Sequence, residues 1–195
     1  MVEERIIQSI HQYLNLYHPI SFSDTQALLA LAKMQTFSRK SVMTAPGQIQ
    51  KYLLIILKGV QRSYYIKDDK EHVIAFTYPV QLSGIPESFL TQKPSTYFLE
   101  AVTDTEVLTI PFEGLNVLFD TTPAVERLFR KITEAILVAL IHRHYELLST
   151  NAEERFSLFA KRSPELFQLV PHKYIASYLR IDATNFSKLF NSIKI

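Results

Sequence analysis

Residues 171–191, PHKYIASYLRIDATNFSKLFN, hold two short helical patterns separated only by Arg180, Ile181 and Asp182, and no other stretch leaves the chain so few ways to fold. The first pattern, 172–179, carries Ile175, Ala176 and Leu179; the second, 183–191, carries Phe186, Leu189 and Phe190. Apolar residues three and four apart mark one face of a helix, so two buried faces must meet across a tight turn. Asp182 puts a short acceptor side chain just ahead of the second pattern, where an N-cap belongs. Ile181 can plug the gap between the helices, and Ala176 is small where they would cross. This is the spacing of a helix-turn-helix, in which the second helix enters the DNA major groove.

The opposite face of the second helix fits that reading. With Phe186, Leu189 and Phe190 turned inward, Ala183, Thr184, Ser187, Lys188 and Asn191 are small or polar and include one cation, suited to base edges or phosphates. Thr184, Asn185, Ser187 and Lys188 are the expected reading residues, with Ser187 and Lys188 reaching furthest into the groove. Residues 171–195 carry Lys173, Arg180, Lys188 and Lys194 against Asp182 alone, the local excess a phosphate backbone attracts. The whole chain is only +2, so any nucleic-acid footprint must be local in this way. On this stretch alone, a helical hairpin that merely packs is the alternative.

The segment IASYLRIDATNFSKLF, preceded by ERFSLFAKRSPELFQLVP, resembles the C-terminal end of the catabolite-activator (Crp/Fnr) family of bacterial regulators, in its shorter branch. The order of elements along nearly the whole chain is similar too. The resemblance implies a homodimeric transcription regulator with a β-roll of the cyclic-nucleotide-binding type, a long dimerising helix and a C-terminal helix-turn-helix. The family usually has Gly in the turn, where a left-handed backbone is needed; this chain has Arg180, at a cost on the order of 1 kcal/mol. Arg180 can also reach a phosphate. Where the family commonly reads with Arg and Glu, the corresponding positions are Ala183 and Thr184, and Lys188 stands where Arg is usual, so a different target or lower specificity is expected. The recognition wing is expected to be short or absent. The alternative is an effector-binding or interaction module that keeps the fold without reading DNA; a steep salt dependence of DNA binding separates the two.

The rest of the chain supports an α+β class. Ile6, Ile7, Ile10, Leu14 and Tyr17 have helical spacing, and Pro19 stops that helix. Ser23 with Gln26 reads as a capping box for a second helix burying Ala27, Leu28, Leu31 and Ala32. From Thr36 to Ile110 the period changes: KYLLIILK, VQRSYYI, EHVIAFTY, FLEAV and EVLTI are strand-like runs punctuated by Gly47, Gly59 and KDDK. Many short strands argue for a sandwich or jelly roll. Residues 111–119 read as transitional. Thr122–Pro123 then starts a helix, and 124–150 contain no Gly or Pro, enough for a helix roughly 40 Å long. Leu128, Ile132, Ala135, Ala139 and His142 mark one seam, and Phe129, Ile136, Leu140 and Leu147 a neighbouring one. A helix apolar on more than one face needs two partners, its own β-roll and most simply the same helix of a second copy. Phe156, Phe159, Leu166, Phe167 and Leu169 are expected to form a small core under the last two helices. The expected divisions are 1–122 (N-terminal helices and jelly roll), 123–150 (dimerisation helix) and 151–195 (helix-turn-helix).

The resemblance also implies a place for an effector. The family's phosphate cassette has a Gly-Glu pair and, about ten residues on, an Arg followed by Ser or Thr. Here Gly84 and Thr96 are kept, while Ile85 replaces the Glu and Ser95 the Arg. These changes remove the ribose acceptor and the phosphate countercharge, so cyclic AMP is not expected to bind usefully. Lys93, on a polar loop, is expected to be solvated. Phe76, Tyr78, Tyr97 and Phe98 offer an aromatic pocket for a small-molecule effector, or else simply core. No cofactor and no metal is expected: only His72 among the six histidines lies in the strand region, and no ligand spacing occurs. No P-loop, dinucleotide motif or Ser-nucleophile elbow is present, so an enzyme is not expected. The absence of Cys excludes disulfides and thiol switches. MVEERIIQSIHQ lacks the apolar core of a signal peptide and the longest apolar run, 135–141, is too short to span a bilayer, so a soluble cytoplasmic protein without membrane association is expected.

Overall fold

The strand-like runs pair into two antiparallel four-stranded sheets in a computed structural model that describes residues 3–192. Two helices come first, α1 (Glu4–Asn15) and α2 (Phe22–Ala30). The strands are β1 (Lys33–Phe37), β2 (Val42–Thr44), β3 (Tyr52–Lys58), β4 (Gln61–Lys67), β5 (Lys70–Thr77) and β6 (Gln81–Ser83). A short helix α3 (Pro86–Thr91) then precedes β7 (Phe98–Ala101) and β8 (Thr105–Pro111). One sheet has the order β1-β8-β3-β6 and the other β2-β7-β4-β5. The five runs read from the sequence correspond to β3, β4, β5, β7 and β8; β1, β2 and β6 were not anticipated, being short or mostly polar.

The continuous apolar run YLLIILK of β3 follows from burial on both faces. Leu54 and Ile56 point between the sheets with Val107, Leu99 and Ile85. Ile55 points the other way, with Leu108 and Ile110, into a helical layer containing Ile10, Leu14, Leu28 and Leu115. The β3–β4 turn requires Gly59: its φ is +88°, and a Cβ there would lie 2.3 Å from the Asp104 carbonyl oxygen. The β4–β5 hairpin turns through Asp68 and Asp69, both with positive φ, which Asp tolerates better than most residues.

Three local expectations are corrected. The capping box of α2 is Ser21 with Asp24, not Ser23 with Gln26: Asp24 N donates to Ser21 Oγ (3.0 Å) and Ser21 N to Asp24 Oδ2 (3.3 Å). A carboxylate suits the positive end of a helix better than an amide does. Residues read as transitional form α4 (Phe112–Thr121), because burial of Leu115 and packing of Phe112, Leu118 and Phe119 on the helical layer outweigh Gly114 and Asn116. Leu169 does not join the C-terminal core; it is exposed.

The long helix α5 (Pro123–Ser149) has the expected extent. Leu128 and Ile132 are not part of an outward seam: both are buried within the chain against α1, α2 and β3. Ala135 is half-buried, whereas Ala139 and His142 are exposed. Beyond Ile132 the helix has left the roll, and Ile136, Leu137, Val138, Leu140, Ile141, Tyr145 and Leu148 are exposed. After Thr150 the chain turns into α6 (Ala152–Arg162), capped by Asn151 and Glu154 in a reciprocal box. Then follow α7 (Leu166–Leu169), α8 (His172–Leu179) and α9 (Ala183–Ser192). Phe156, Phe159, Leu166 and Phe167 pack with Ile175, Leu179, Ile181 and Phe186, and this cluster continues onto Val60 and Val102 of the roll. Among the described residues no helix is long and apolar enough to cross a membrane.

Candidate nucleic-acid interface and effector pocket

The turn between α8 and α9 is built on a left-handed residue. Arg180 has φ +56° and ψ +46°, as the tight break requires. Arg180 N donates to the Ser177 carbonyl (3.1 Å) and Ile181 N to that of Ala176 (3.0 Å), the paired bonds of a Schellman ending. Ile181 and Ala176 are both buried at this junction. Asp182 caps α9, accepting from Asn185 N at 2.9 Å.

Phe186 anchors α9 in the core, with Leu189 and Phe190 half-buried beside it. Ala183, Thr184, Ser187, Lys188 and Asn191 are exposed together on the outer face. Asn185 is half-buried and less available than the other expected reading residues. Ser187 Oγ donates to the Ala183 carbonyl at 3.0 Å, leaving the hydroxyl free only as an acceptor. Arg180 is exposed at the turn. Lys173 is exposed at the start of α8, its Nζ 4.9 Å from the Tyr174 ring centre. Lys194 lies outside the described residues.

Two arginines not singled out in the sequence hold this unit. Arg155 of α6 donates Nε to the Leu179 carbonyl (2.8 Å) and also reaches those of Thr150 and Arg180. Arg143 of α5 donates to the Tyr178 carbonyl, with its guanidinium 4.2 Å from the centre of the Tyr178 ring. Cations thus meet the free carbonyls at the negative end of α8. Both sit on helices otherwise read for apolar periodicity, and only their position beside the α8 terminus distinguishes them.

A third arginine joins the roll to the helix-turn-helix. Arg62 of β4 is 1% exposed. Its guanidinium contacts Glu100 of β7 through Nη2 (2.9 Å) and Nε (3.4 Å), and Glu71 of β5 through Nη1 (2.7 Å). The Tyr64 and Tyr174 rings flank it at 4.0 and 3.6 Å. Burial works against its charge, but the bonds to Glu71 and Glu100 outweigh that and raise its pKa. The Arg62 hydrogen bond holds the Glu71 carboxyl below its ordinary value. The Tyr64 hydroxyl is pushed up to about 12, by burial first and then by the charge of Glu100.

The cassette region is tied to the loop before β3: Gly47 N donates to the Ser95 carbonyl and Ser95 N to that of Gln48, both at 2.8 Å. Gly84 has φ +139°. Ile85 is buried in the inter-sheet core. Ser95 Oγ donates to the Tyr97 carbonyl and accepts from Tyr97 N, both at 2.9 Å, while Thr96 is exposed. Lys93 is exposed. The four aromatics expected to form a pocket do not converge. Phe76 faces Tyr178 of α8 at 5.5 Å, Tyr78 bonds Ser163, Phe98 stacks on Tyr64, and Tyr97 alone packs on the inter-sheet core. Phe76 and Tyr78 both turn to the C-terminal helices, while Tyr97 and Phe98, adjacent in sequence, take different neighbours. A cavity of about 480 Å³ in the roll lies elsewhere, lined by Phe37, Met43, Thr44, Gln50, Tyr52 and Leu54 among others. Gln50 is buried there, accepting from Thr44 Oγ1 and donating to the Tyr52 carbonyl, both at 2.6 Å. Among the described residues no group of three or more His, Cys, Asp or Glu side chains is placed to hold a metal.

Residues 34–122 match the cyclic nucleotide-binding domain family. No curated protein matches the sequence. Solved structures share the fold across both parts of the chain. FixK2 from Bradyrhizobium japonicum is 18% identical at a TM-score of 0.72, covering 83% of each chain. The Thermus thermophilus catabolite activator protein is 19% identical at 0.59, covering 91% of this chain and 85% of its own. The c-di-GMP-responsive global regulator CLP of Xanthomonas campestris is 15% identical at 0.66, covering 88% and 91%. At these identities the likeness is one of fold.

Proposed function

Given that the chain carries a cyclic nucleotide-binding domain over residues 34–122 within the fold of Crp/Fnr-type regulators, we propose that it is a homodimeric DNA-binding transcription regulator acting in the cytoplasm. The observation that carries this reading is α9: its apolar side is sunk in the C-terminal core while Ala183, Thr184, Ser187, Lys188 and Asn191 stand uncovered. A helix held in this way presents polar groups to a groove, and Arg180 and Lys173 add charge for the flanking phosphates. The uncovered apolar half of α5 supports a second copy as partner, since two helix-turn-helix units about 34 Å apart read successive turns of one DNA face.

The roll does not respond to cyclic AMP in this proposal. A phosphate entering beside Gly84 would meet buried, apolar Ile85 and, where the family has its arginine, a Ser95 hydroxyl engaged with Tyr97. Calorimetry with cyclic AMP should detect no binding tighter than about 0.1 mM. A different small molecule in the Gln50 cavity is one way for the roll to act as a sensor.

Fluorescence anisotropy on duplexes from the protein's own upstream region and on scrambled duplexes, across a salt series, tests the reading. Sequence-selective binding that weakens steeply with salt is expected. Weak, sequence-blind binding with a flat salt response would leave an interaction module that retains the fold.

A further inference from the structure

The Arg62 cluster is charged, buried and shared between the roll and the helix-turn-helix. The roll supplies Glu100, Glu71 and Tyr64; Tyr174 of α8 closes the remaining face of the guanidinium. The next turn of α8 continues the contact. Ser177 Oγ donates to the Glu71 carbonyl (2.9 Å) and accepts from Val73 N (3.0 Å), taking up backbone groups of β5, an edge strand. Tyr178 packs on Phe76. Tyr174, Ser177 and Tyr178 thus line one face of α8, three and four residues apart, while Ile175, Ala176 and Leu179 line the face turned to the C-terminal core.

We propose that Arg62 is a positioning residue: by holding Tyr174 it docks α8 on β5 and so fixes where α9 stands relative to α5. The chemistry favours a specific latch over general packing. The guanidinium is planar and forked, matching the Glu100 carboxylate on its edge while stacking a ring on each face, which an ammonium cannot do. The contact covers none of the exposed α9 residues named above: the docked unit keeps Thr184, Ser187 and Lys188 open. Docking is therefore compatible with reading DNA. Together with Arg143 on the Tyr178 carbonyl and Tyr78 on Ser163, the latch removes orientational freedom that a unit tethered only through Thr150 and Asn151 would lose on binding. The consequence for DNA rests on the function proposed above, whereas the docking itself does not.

Hydrogen–deuterium exchange on the full-length protein tests the docking without DNA. Tyr174→Leu keeps an apolar side chain but removes the ring, and it should speed exchange at Val73 and across α8 by roughly tenfold or more, leaving β3 and β8 unchanged. Tyr174→Phe keeps the ring and should restore natural protection. Arg62→Lys, which retains charge without the fork, should behave as Tyr174→Leu does. Natural exchange in Tyr174→Leu, or failure of Tyr174→Phe to rescue, would overturn the latch. On a duplex that the natural protein binds selectively, Tyr174→Leu should bind about tenfold more weakly or worse. Equal or tighter binding would overturn the positioning role. Should the natural protein bind no duplex selectively, the DNA reading fails by itself, and exchange at Val73 still decides the latch.

Discussion

Two faces of this chain stand uncovered, and their chemistries are opposite. The second half of α5 is uncovered and largely apolar, most densely at 136–141; the outer side of α9 is small and polar, with Lys188 as its cation. α9 buries its opposite side through Phe186, whereas α5 buries its first half through Val125, Leu128 and Ile132 and leaves its second half uncovered. The difference indicates what would cover each. Contiguous apolar surface is relieved by apolar surface, with little dependence on salt, whereas a polar cationic face is met by a polyanion, with strong dependence on salt.

The sharpest way to break this comparison is to place charge on the apolar face. Leu137→Glu combined with Ile141→Glu should turn a dimer into a monomer in sedimentation and weaken operator binding by about 10²–10⁴-fold, the contribution of linking two modest contacts. A double variant that remains dimeric would place the interface elsewhere. In the buried first half of the same helix, Leu128→Ala should lower stability to urea by about 2–5 kcal/mol while leaving the association state of the folded protein unchanged. On the polar face, Lys188→Ala should cost about 1–3 kcal/mol on the selected duplex if it reads a base, with little change on scrambled DNA. Equal losses on both duplexes would make it a phosphate contact. The smallest effect is expected at the turn. Arg180→Gly should raise stability by up to about 1 kcal/mol by relieving the left-handed strain, and should lower the salt slope of DNA binding by about 1 if Arg180 holds a phosphate.

Much of the helix-turn-helix was legible before any coordinates. Asp182 as a cap, Ile181 in the gap and Phe186 turned inward all depend on residues a few positions apart, while the left-handed turn at Arg180 was implied by the family resemblance. The strands β3 and β5 were equally readable from their β-branched and aromatic content. The aromatic pocket was not: Phe76, Tyr78, Tyr97 and Phe98 look alike in sequence, and their sorting depends on which strand face meets α8 and which meets the other sheet. The three arginines were illegible for a related reason. Arg62, Arg143 and Arg155 lie among ordinary strand and helix residues, and their roles come from carboxylates, rings and carbonyls brought up by other elements.

What the amino-acid order determined by itself is therefore local: the periods, the caps, and the division of α9 into an apolar and a polar side. What only the tertiary structure decided is which surface each side meets. Leu128 and Ile136 continue one helical pattern, yet the first is buried under α1 and α2 and the second is uncovered, because the roll ends between them. Tyr174 reaches Arg62 across more than a hundred residues of chain. Periodicity records that a face must be covered; the cover itself is set by chain segments that no local pattern can see.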